Sequence, residues 1–361
     1  MRLRRVDTSK FDAEDAADDA AGVFGLPFER EDCSVVLIPV PWEVTTSYGR
    51  GTARGPAAIR QASAQLDFYD AGLAEQGLAR PWEFGIHMVA ENPEVARWNT
   101  RGCEDALPII AAGGDVGSDP DLAARLQQVN ARSRQLDEWV REEVDRYRAD
   151  GHLVGVVGGD HSVALGAIEA HAGAHPGLGI LHIDAHADLR RAYEGFDRSH
   201  ASVMHNVLER CPTVEALVQV GIRDVAASEA ERIRDDHRIY GHFDGDLRRR
   251  VHDGEPWSQI CDEIVDRLPE HVYVSFDIDG LDPALCPGTG TPVPGGLDFG
   301  QVQTLLEKLV ERNRRIVGFD LVEVAPRPDD EWDGNVGARI LYRLCALSLY
   351  SQGARDGSSD G

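Results

Sequence analysis

Four stretches of the 361-residue chain hold residues able to do chemistry. They are Gly158-Gly159-Asp160-His161-Ser162, Asp184-Ala185-His186-Ala187-Asp188, Asp277-Ile278-Asp279-Gly280-Leu281-Asp282-Pro283 and Asp320-Leu321-Val322-Glu323-Val324-Ala325-Pro326. In extended chain, alternate side chains share a face about 6.6 Å apart. Asp184, His186 and Asp188 therefore share one face, and Asp277 and Asp279 repeat the spacing. Carboxylates and imidazoles on one face suit a borderline divalent metal such as Mn, Zn, Ni or Fe. His161, Asp184, His186, Asp188, Asp277 and Asp279 make six candidate ligands, too many for one four-coordinate zinc. The four aspartates among them carry four formal negative charges, which two divalent cations would cancel. Unbalanced, such carboxylates repel and raise one another's pKa. The expectation is a two-metal site bridged by hydroxide. A single D-x-H or D-x-D is usually a turn or a satisfied surface pair; their recurrence behind several strands argues otherwise. His182 is expected to be a packed core histidine pointing away from the neighbours of Asp184. Gly113–Pro120 is expected to be a surface loop, not a calcium loop, and Cys261 and Cys345 core thiols.

The elements that must position these groups are short apolar runs, each closed by a polar turn and usually followed by a helical pattern. They are Ser34–Ile38, His152–Val157, Leu178–Ile183, Ala216–Val220, His271–Phe276 and Arg315–Phe319. Strands apolar on both faces that alternate with helices indicate a parallel sheet covered on both sides. Ligands of such sheets bind at the carboxyl ends of the strands. The four chemical stretches follow four of the runs, so they are expected on one rim. Pro39 and Pro41 are expected to end the first strand. A Gly-rich loop, residues 47–55, leads to a helix with Pro56 in its first turn, where the missing N–H costs nothing. Residues 70–121 read as irregular. Leu122 to Asp150 reads as an amphipathic helix stopped by Gly151. Residues 1–30, rich in Asp, Glu and Ala, read as an acidic extension, and 31–361 as one large α/β domain.

Composition sets bounds. The net charge of -25 excludes a nucleic-acid or anionic-membrane binder, because phosphate partners need Lys and Arg. The only lysines are Lys10 and Lys308; an acidic, lysine-poor surface fits a salt-adapted cytosol and equally a GC-rich genome. No window approaches the roughly 18–20 apolar residues of a membrane span, and the basic start Met1–Arg5 is followed by no apolar stretch of a signal peptide. Six scattered cysteines without a C-x-x-C pair read as reduced, mostly buried thiols of a cytoplasmic protein.

From about Val35 to Leu349 the chain resembles the ureohydrolase family, which includes arginases, agmatinases, guanidinobutyrases, guanidine hydrolases and formimidoylglutamases. Gly159-Asp160-His161-Ser162, Asp184–Asp188 and Ser275–Pro283 match its three signatures. The resemblance implies a three-layer α/β/α fold with a mainly parallel eight-stranded sheet, and homotrimers or hexamers. It implies two divalent ions, usually Mn2+ and in some members Ni2+. One would be held by His161, Asp184, Asp188 and Asp277, the other by Asp184, His186, Asp277 and Asp279. Glu323 matches the carboxylate that clamps the guanidinium, and Asp279 the group that shuttles the water proton. His200, in Ser199-His200-Ala201-Ser202, matches the histidine that protonates the leaving amine. The substrate class is a small guanidino compound, and the products urea with an amine or ammonia.

Within that resemblance His200 argues against formimidoylglutamase activity, and the loop 189–198 looks less like arginases than agmatinases. Residues 41–49, 81–117 and 332–337 are similar to the guanidine hydrolase branch. Trp42, Thr45, Thr46 and Trp332 are accordingly expected to narrow the pocket toward free guanidine or a short alkylguanidine such as agmatine. Three other classes compete: a mononuclear-zinc deacetylase on the same fold, a binuclear phosphoesterase, and a non-catalytic oligomeric scaffold. The second D-x-D with two histidines favours two metals over the first. No Lys or Arg beside the clusters supports the second, and the complete ligand set speaks against the third.

Overall fold

The computed structural model describes residues 3–9, 11–15 and 22–357. Met1, Arg2, Lys10, residues 16–21 of the acidic segment and residues 358–361 lie outside them. Among the described residues eight strands form one all-parallel sheet: β1 Val35–Val40, β2 Ile86–Met88, β3 Leu153–Gly158, β4 Gly179–Ile183, β5 Ala216–Ile222, β6 Ile239–Phe243, β7 His271–Asp277 and β8 Arg315–Val322. Their order across the sheet is β2-β1-β3-β8-β7-β4-β5-β6. The helices are α1 Gly55–Ser63, α2 Ala71–Ala74, α3 Pro93–Ala111, α4 Pro120–Ala149, α5 Ala164–Ala174, α6 Val203–Arg210, α7 Ala227–Asp235, α8 Asp244–His252, α9 Trp257–Val265, α10 Phe299–Glu311 and α11 Trp332–Ser351.

Strand alternation divides the apolar side chains between two cores. Val35 and Leu37 of β1, Leu181 and Ile183 of β4, and Val272, Val274 and Phe276 of β7 pack with α1, α9, α10 and α11. Val36 and Ile38, Ile180, and Tyr273 face the other way, onto α3, α4, α5 and α6. This is the three-layer α/β/α arrangement expected, with the sheet wholly parallel.

β1 runs on through Pro39. Odd residues of β1 direct their N–H groups toward β2, as when Val35 donates to Gly85 O at 3.1 Å. β2 ends at Met88, paired with Leu37, so the N–H that Pro39 lacks has no partner strand to miss. The expectation of an irregular 70–121 is corrected by α3, 19 residues long. Asn92 caps it by accepting from Glu94 N, and Pro93 fills its first turn. Its buried stripe of Val95, Gly102, Ala106 and Ile109 is half small residues, too weak an apolar signal to read, and Pro108 interrupts the pattern. The long helix lies where expected: Asp119 caps α4, and Val129, Leu136, Val140 and Val144 are buried along it. Two further strands, β2 and β6, carried no recognisable run because they are short edge strands. The described part of 1–30 lies against the domain: Val6 N donates to Glu83 O at 2.9 Å, and Val23, Phe24 and Leu26 are buried in the α1/α11 core.

α11 is buried along almost its whole length. Leu341→Ala should therefore cost about 2–5 kcal/mol through lost burial and an uncollapsed cavity, read as a lower urea midpoint with an unchanged denaturant slope.

Candidate metal centre

The four chemical stretches leave the carboxyl ends of β3, β8, β7 and β4, which are consecutive in the sheet. Neighbouring strands lie about 4.8 Å apart, so segments remote in sequence meet on one short rim. Each is aimed by a local device. At Gly159 a Cβ would fall 1.8 Å from the Trp42 carbonyl oxygen, and Asp160 N donates to that same oxygen at 2.7 Å. Only glycine lets β3 turn this tightly against β1 and direct His161 inward. Behind β4, His186 N donates to Asp184 Oδ1 at 2.6 Å and Ala185 N to Asp279 Oδ1 at 3.0 Å, tying two strand ends together. Asp277 caps the turn after β7 by accepting from Asp279 N at 2.8 Å. Asp188 and Glu323 adopt positive φ, 54° and 66°. Such strain, on the order of 1–3 kcal/mol each, persists only where surroundings impose it. For Glu323 they do: its N–H donates to Gly159 O at 2.7 Å, and its Oε1 accepts from His161 N at 2.8 Å.

All six candidate ligands come together. His161 Nδ1 lies 3.1 Å from Asp184 Oδ2, 3.1 Å from Asp188 Oδ2 and 3.3 Å from Asp277 Oδ2. His186 Nδ1 lies 3.4 Å from Asp184 Oδ1 and 3.1 Å from Asp279 Oδ2. His161 Nδ1 is buried with no partner in hydrogen-bonding geometry. A lone buried nitrogen facing three carboxylate oxygens is a set of donors converging on a common centre. Cations that keep ligands at about 2.1 Å set neighbouring ligand atoms about 3 Å apart, so the residues present fit the two divalent ions.

The electrostatics show the same need. Burial, then Asp279 and Asp184, push Asp277 well above the usual carboxylate range. Burial and Asp160 do the same to Glu323. Burial and the Asp184 charge raise Asp188 to about 6. Burial opposes charge on His161 and His186 as well. The carboxylates of Asp184, Asp188 and Asp277 around its Nδ1 nevertheless hold His161 well above its ordinary value, and Asp279 and Asp184 bring His186 to about 12. Protons on the two imidazoles thus supply part of the positive charge that cations would bring. Asp184 is held low against burial by His182 first, and then by the His161 and His186 imidazoles that face its two oxygens.

His182 is buried as expected, but its direction is corrected. Residues two apart on a strand share a face, and His182 Nε2 lies 2.8 Å from Asp184 Oδ2. Gln219 Nε2 stands 2.9 Å from His182 Nδ1 and 2.7 Å from Ala187 O. With the amide donating to Nδ1, the imidazole proton sits on Nε2 and is given to Asp184. A second chain supports His161: Nε2 is 2.9 Å from Ser275 Oγ, which donates to Asp320 Oδ1 at 3.0 Å. Such outer partners fix tautomer and orientation. Ser275, Gln219 and Asp320 are not among the candidate ligands or catalytic residues that the sequence points to. The available signal was a polar residue inside a strand buried on both faces.

The other expected residues are placed differently. Thr45 joins His200 to Asp160: its Oγ1 is 3.3 Å from His200 Nδ1 and 3.3 Å from Asp160 Oδ2, and accepts from His200 N at 3.1 Å. Burial, then the positive charges of His186 and His161, lowers His200 to about 4. Tyr193 meets the His200 ring edge-on at 6.0 Å. Trp42 is fully buried in the α3/α4 core, and Thr46 is buried with its hydroxyl unpartnered. Trp332 is 51% exposed at the start of α11, its indole N–H donating to Leu285 O. A Cβ on Gly290 would fall 2.7 Å from Glu323 Oε2, so this glycine keeps space beside the carboxylate.

A parallel α/β sheet with six candidate His/Asp ligands gathered at its carboxyl rim is the arrangement of a class of metal-dependent hydrolases. The model of the arginase family matches residues 33–346, and the chain belongs to that family. It is a metal-dependent hydrolase acting on guanidino C–N bonds. The N(1)-aminopropylagmatine ureohydrolase of Thermus thermophilus is 35% identical over 319 residues, covering 88% of this chain and 91% of that one. The agmatinase of Sodalis glossinidius is 33% identical, covering 94% and 95%. Among solved structures, the agmatine ureohydrolase of Thermoplasma volcanium shares the fold with a TM-score of 0.66 at 24% identity, covering 96% and 98%. The arginase of Medicago truncatula gives 0.63 at 25%, covering 88% and 87%. No helix among the described residues is long and apolar enough to cross a membrane.

Ser275→Ala should remove the support of His161 Nε2 and weaken metal binding about 10–100-fold, measured by competition with a chromogenic chelator. Unchanged affinity would show that the Ser275 contact does not orient the imidazole.

Proposed function

We propose that the protein is a binuclear amidinohydrolase of the agmatinase type, releasing urea and an amine from a small alkylguanidine. The observation that carries this reading is the Glu323 carboxylate, tied by its Oε1 to His161 N at the edge of the Asp/His cluster, with Gly290 beside its Oε2. A planar cation needs such a planar anion beside the group that attacks its carbon. His161, Asp184, Asp188 and Asp277 would hold one ion, and Asp184, His186, Asp277 and Asp279 the other; Mn2+ is preferred, with Ni2+ the alternative. When bound, the ions supply the acidity that makes water a nucleophile at neutral pH.

The chain's own groups do the rest. Glu323 clamps and orients the guanidinium. Asp279 accepts the proton of the attacking water and passes it on. His200, fixed through Nδ1 by Thr45, delivers a proton to the leaving nitrogen. Thr45 acts on the substrate only through His200. Names of relatives support an aminoalkyl tail on the substrate. Trp42 lies in the core, Trp332 at the surface and Thr45 behind His200, which leaves the narrow-pocket case for free guanidine with Thr46 alone. In this reading residues 31–361 form the catalytic domain, and 1–30 an acidic N-terminal extension. The protein works in the cytoplasm as a homo-oligomer, trimer or hexamer.

Urea release by Mn- and Ni-loaded protein should be fastest with agmatine or an N-aminoalkyl derivative, slower with 4-guanidinobutyrate and arginine. Guanidine as the best substrate would restore the narrow pocket, and urea from none would remove the reading. His200→Asn should lower kcat by about 10²–10⁴ while leaving metal content unchanged. Glu323→Gln should cut kcat/KM by about 10²-fold or more, because a buried guanidinium would lose its counter-charge.

A further inference from the structure

The amino end of the sheet gathers arginine and histidine side chains in place of acids. A cavity of about 210 Å³ opens there beside β3, β7 and β8, lined by Arg148, His152, His175, His271, Arg315 and Gln352. The chain has 62 acidic residues against 37 Lys and Arg, yet among the described residues none that lines this cavity carries a carboxylate. The groups have partial partners only. Arg148 donates to Ala170 O at 3.2 Å and meets Asp145, an acid 56% exposed and outside the wall, at 3.3 Å. Arg315 is held by a neutral group, donating to Gln352 Oε1 at 3.1 Å. His152 Nδ1 lies 2.9 Å from Cys33 O, with Arg4 Nη1 3.0 Å away. The rings of His175 and His271 lie 4.9 Å apart with a 32° tilt.

Arg148 and Arg315 are the cations of this shared space, and burial keeps the His175 and His152 imidazoles beside them below their ordinary value. Burial, then Arg148, His271 and Arg315, lowers His175 to about 4. Near helix C-termini, Arg148 and His175 gain something from the carbonyl ends of α4 and α5. That does not account for Arg315 and His271, which stand at strand starts. Guanidinium forks and imidazole N–H groups around a water-sized-to-metabolite-sized space are donors for a compact anion. We propose that this cavity binds a small oxyanion, phosphate or a compact dicarboxylate. β3 runs from this end to the metal centre, and its six residues at about 3.3 Å each put the two sites roughly 20 Å apart. The site is therefore separate from substrate binding and does not depend on the ureohydrolase reading.

The test is calorimetric titration of the metal-loaded full chain in chloride buffer, with inorganic phosphate in one arm and malonate in the other. Saturable binding with Kd at or below about 1 mM is expected for at least one. The preferred anion identifies the ligand as tetrahedral or planar. Arg315→Gln, at an exposed strand start, should weaken binding about tenfold or more. Gln352→Glu should weaken it as much by placing a carboxylate in the wall, without removing a cation. Urea release should be unchanged in both variants. Phosphorus-31 relaxation in the Mn-loaded protein separates this cavity from the metals: at roughly 20 Å the bound phosphate should be little broadened. No saturable binding of either anion up to about 10 mM would overturn the proposal. So would binding that both variants retain, or strong Mn broadening that survives Arg315→Gln.

Discussion

Five buried carboxylates at one rim of a sheet must be balanced by positive charge, and much of the structure around them answers that demand. Asp184, Asp188, Asp277, Asp279 and Glu323 are each at most 4% exposed, where water cannot screen them. Two protonated imidazoles offset part of the excess. Burial first, and then the like charge left over, raises Asp188, Asp277 and Glu323 above their ordinary range. A pair of divalent ions removes the repulsion and lets all five ionise together. Metal binding and the stability of this rim are thus one quantity.

The parallel sheet makes such a concentration possible. Only consecutive parallel strands deliver many chain ends to one side, and β3, β8, β7 and β4 do so while helices cover both faces. The ligands are held by more than their own strands. Gln219 on β5 sets the tautomer of His182, and Asp320 on β8 anchors Ser275 beneath His161. Positive φ at Asp188 and Glu323 is backbone strain that the packed rim imposes. The reactive geometry is therefore a property of the assembled strand ends more than of any loop.

The sheet is also electrically polarised along its strands. Acids crowd the carboxyl end and await cations; arginines and histidines line a cavity at the amino end. In a chain of net charge -25, that basic wall is the reverse of the average surface. It sits where strand starts and helix ends meet, the face of a parallel sheet not used for chemistry.

The candidate ligands were legible as D-x-H-x-D and D-x-D spacings behind apolar runs, but the shared strand face expected for them is corrected. β4 ends at Ile183, Asp188 has a φ of 54°, and Asp279 lies in the 3-10 turn Ile278–Gly280, so turns aim these side chains. The strands before them were legible because burial on both faces leaves continuous apolar runs. α3 was not legible, since its buried stripe uses Gly102 and Ala106 in place of large apolar residues. β2 and β6 were not, since an edge strand needs no such run. His182 was misdirected although its parity with Asp184 was visible. The sequence by itself determined which side chains are able to hold cations and that parallel strands carry them. Tertiary structure alone decided that Ser275, Gln219 and Asp320 support those side chains, that Trp42 belongs to the core, and that Thr45 reaches His200. Those facts depend on which strands become neighbours, and strand order is set by packing between segments that are remote in the chain.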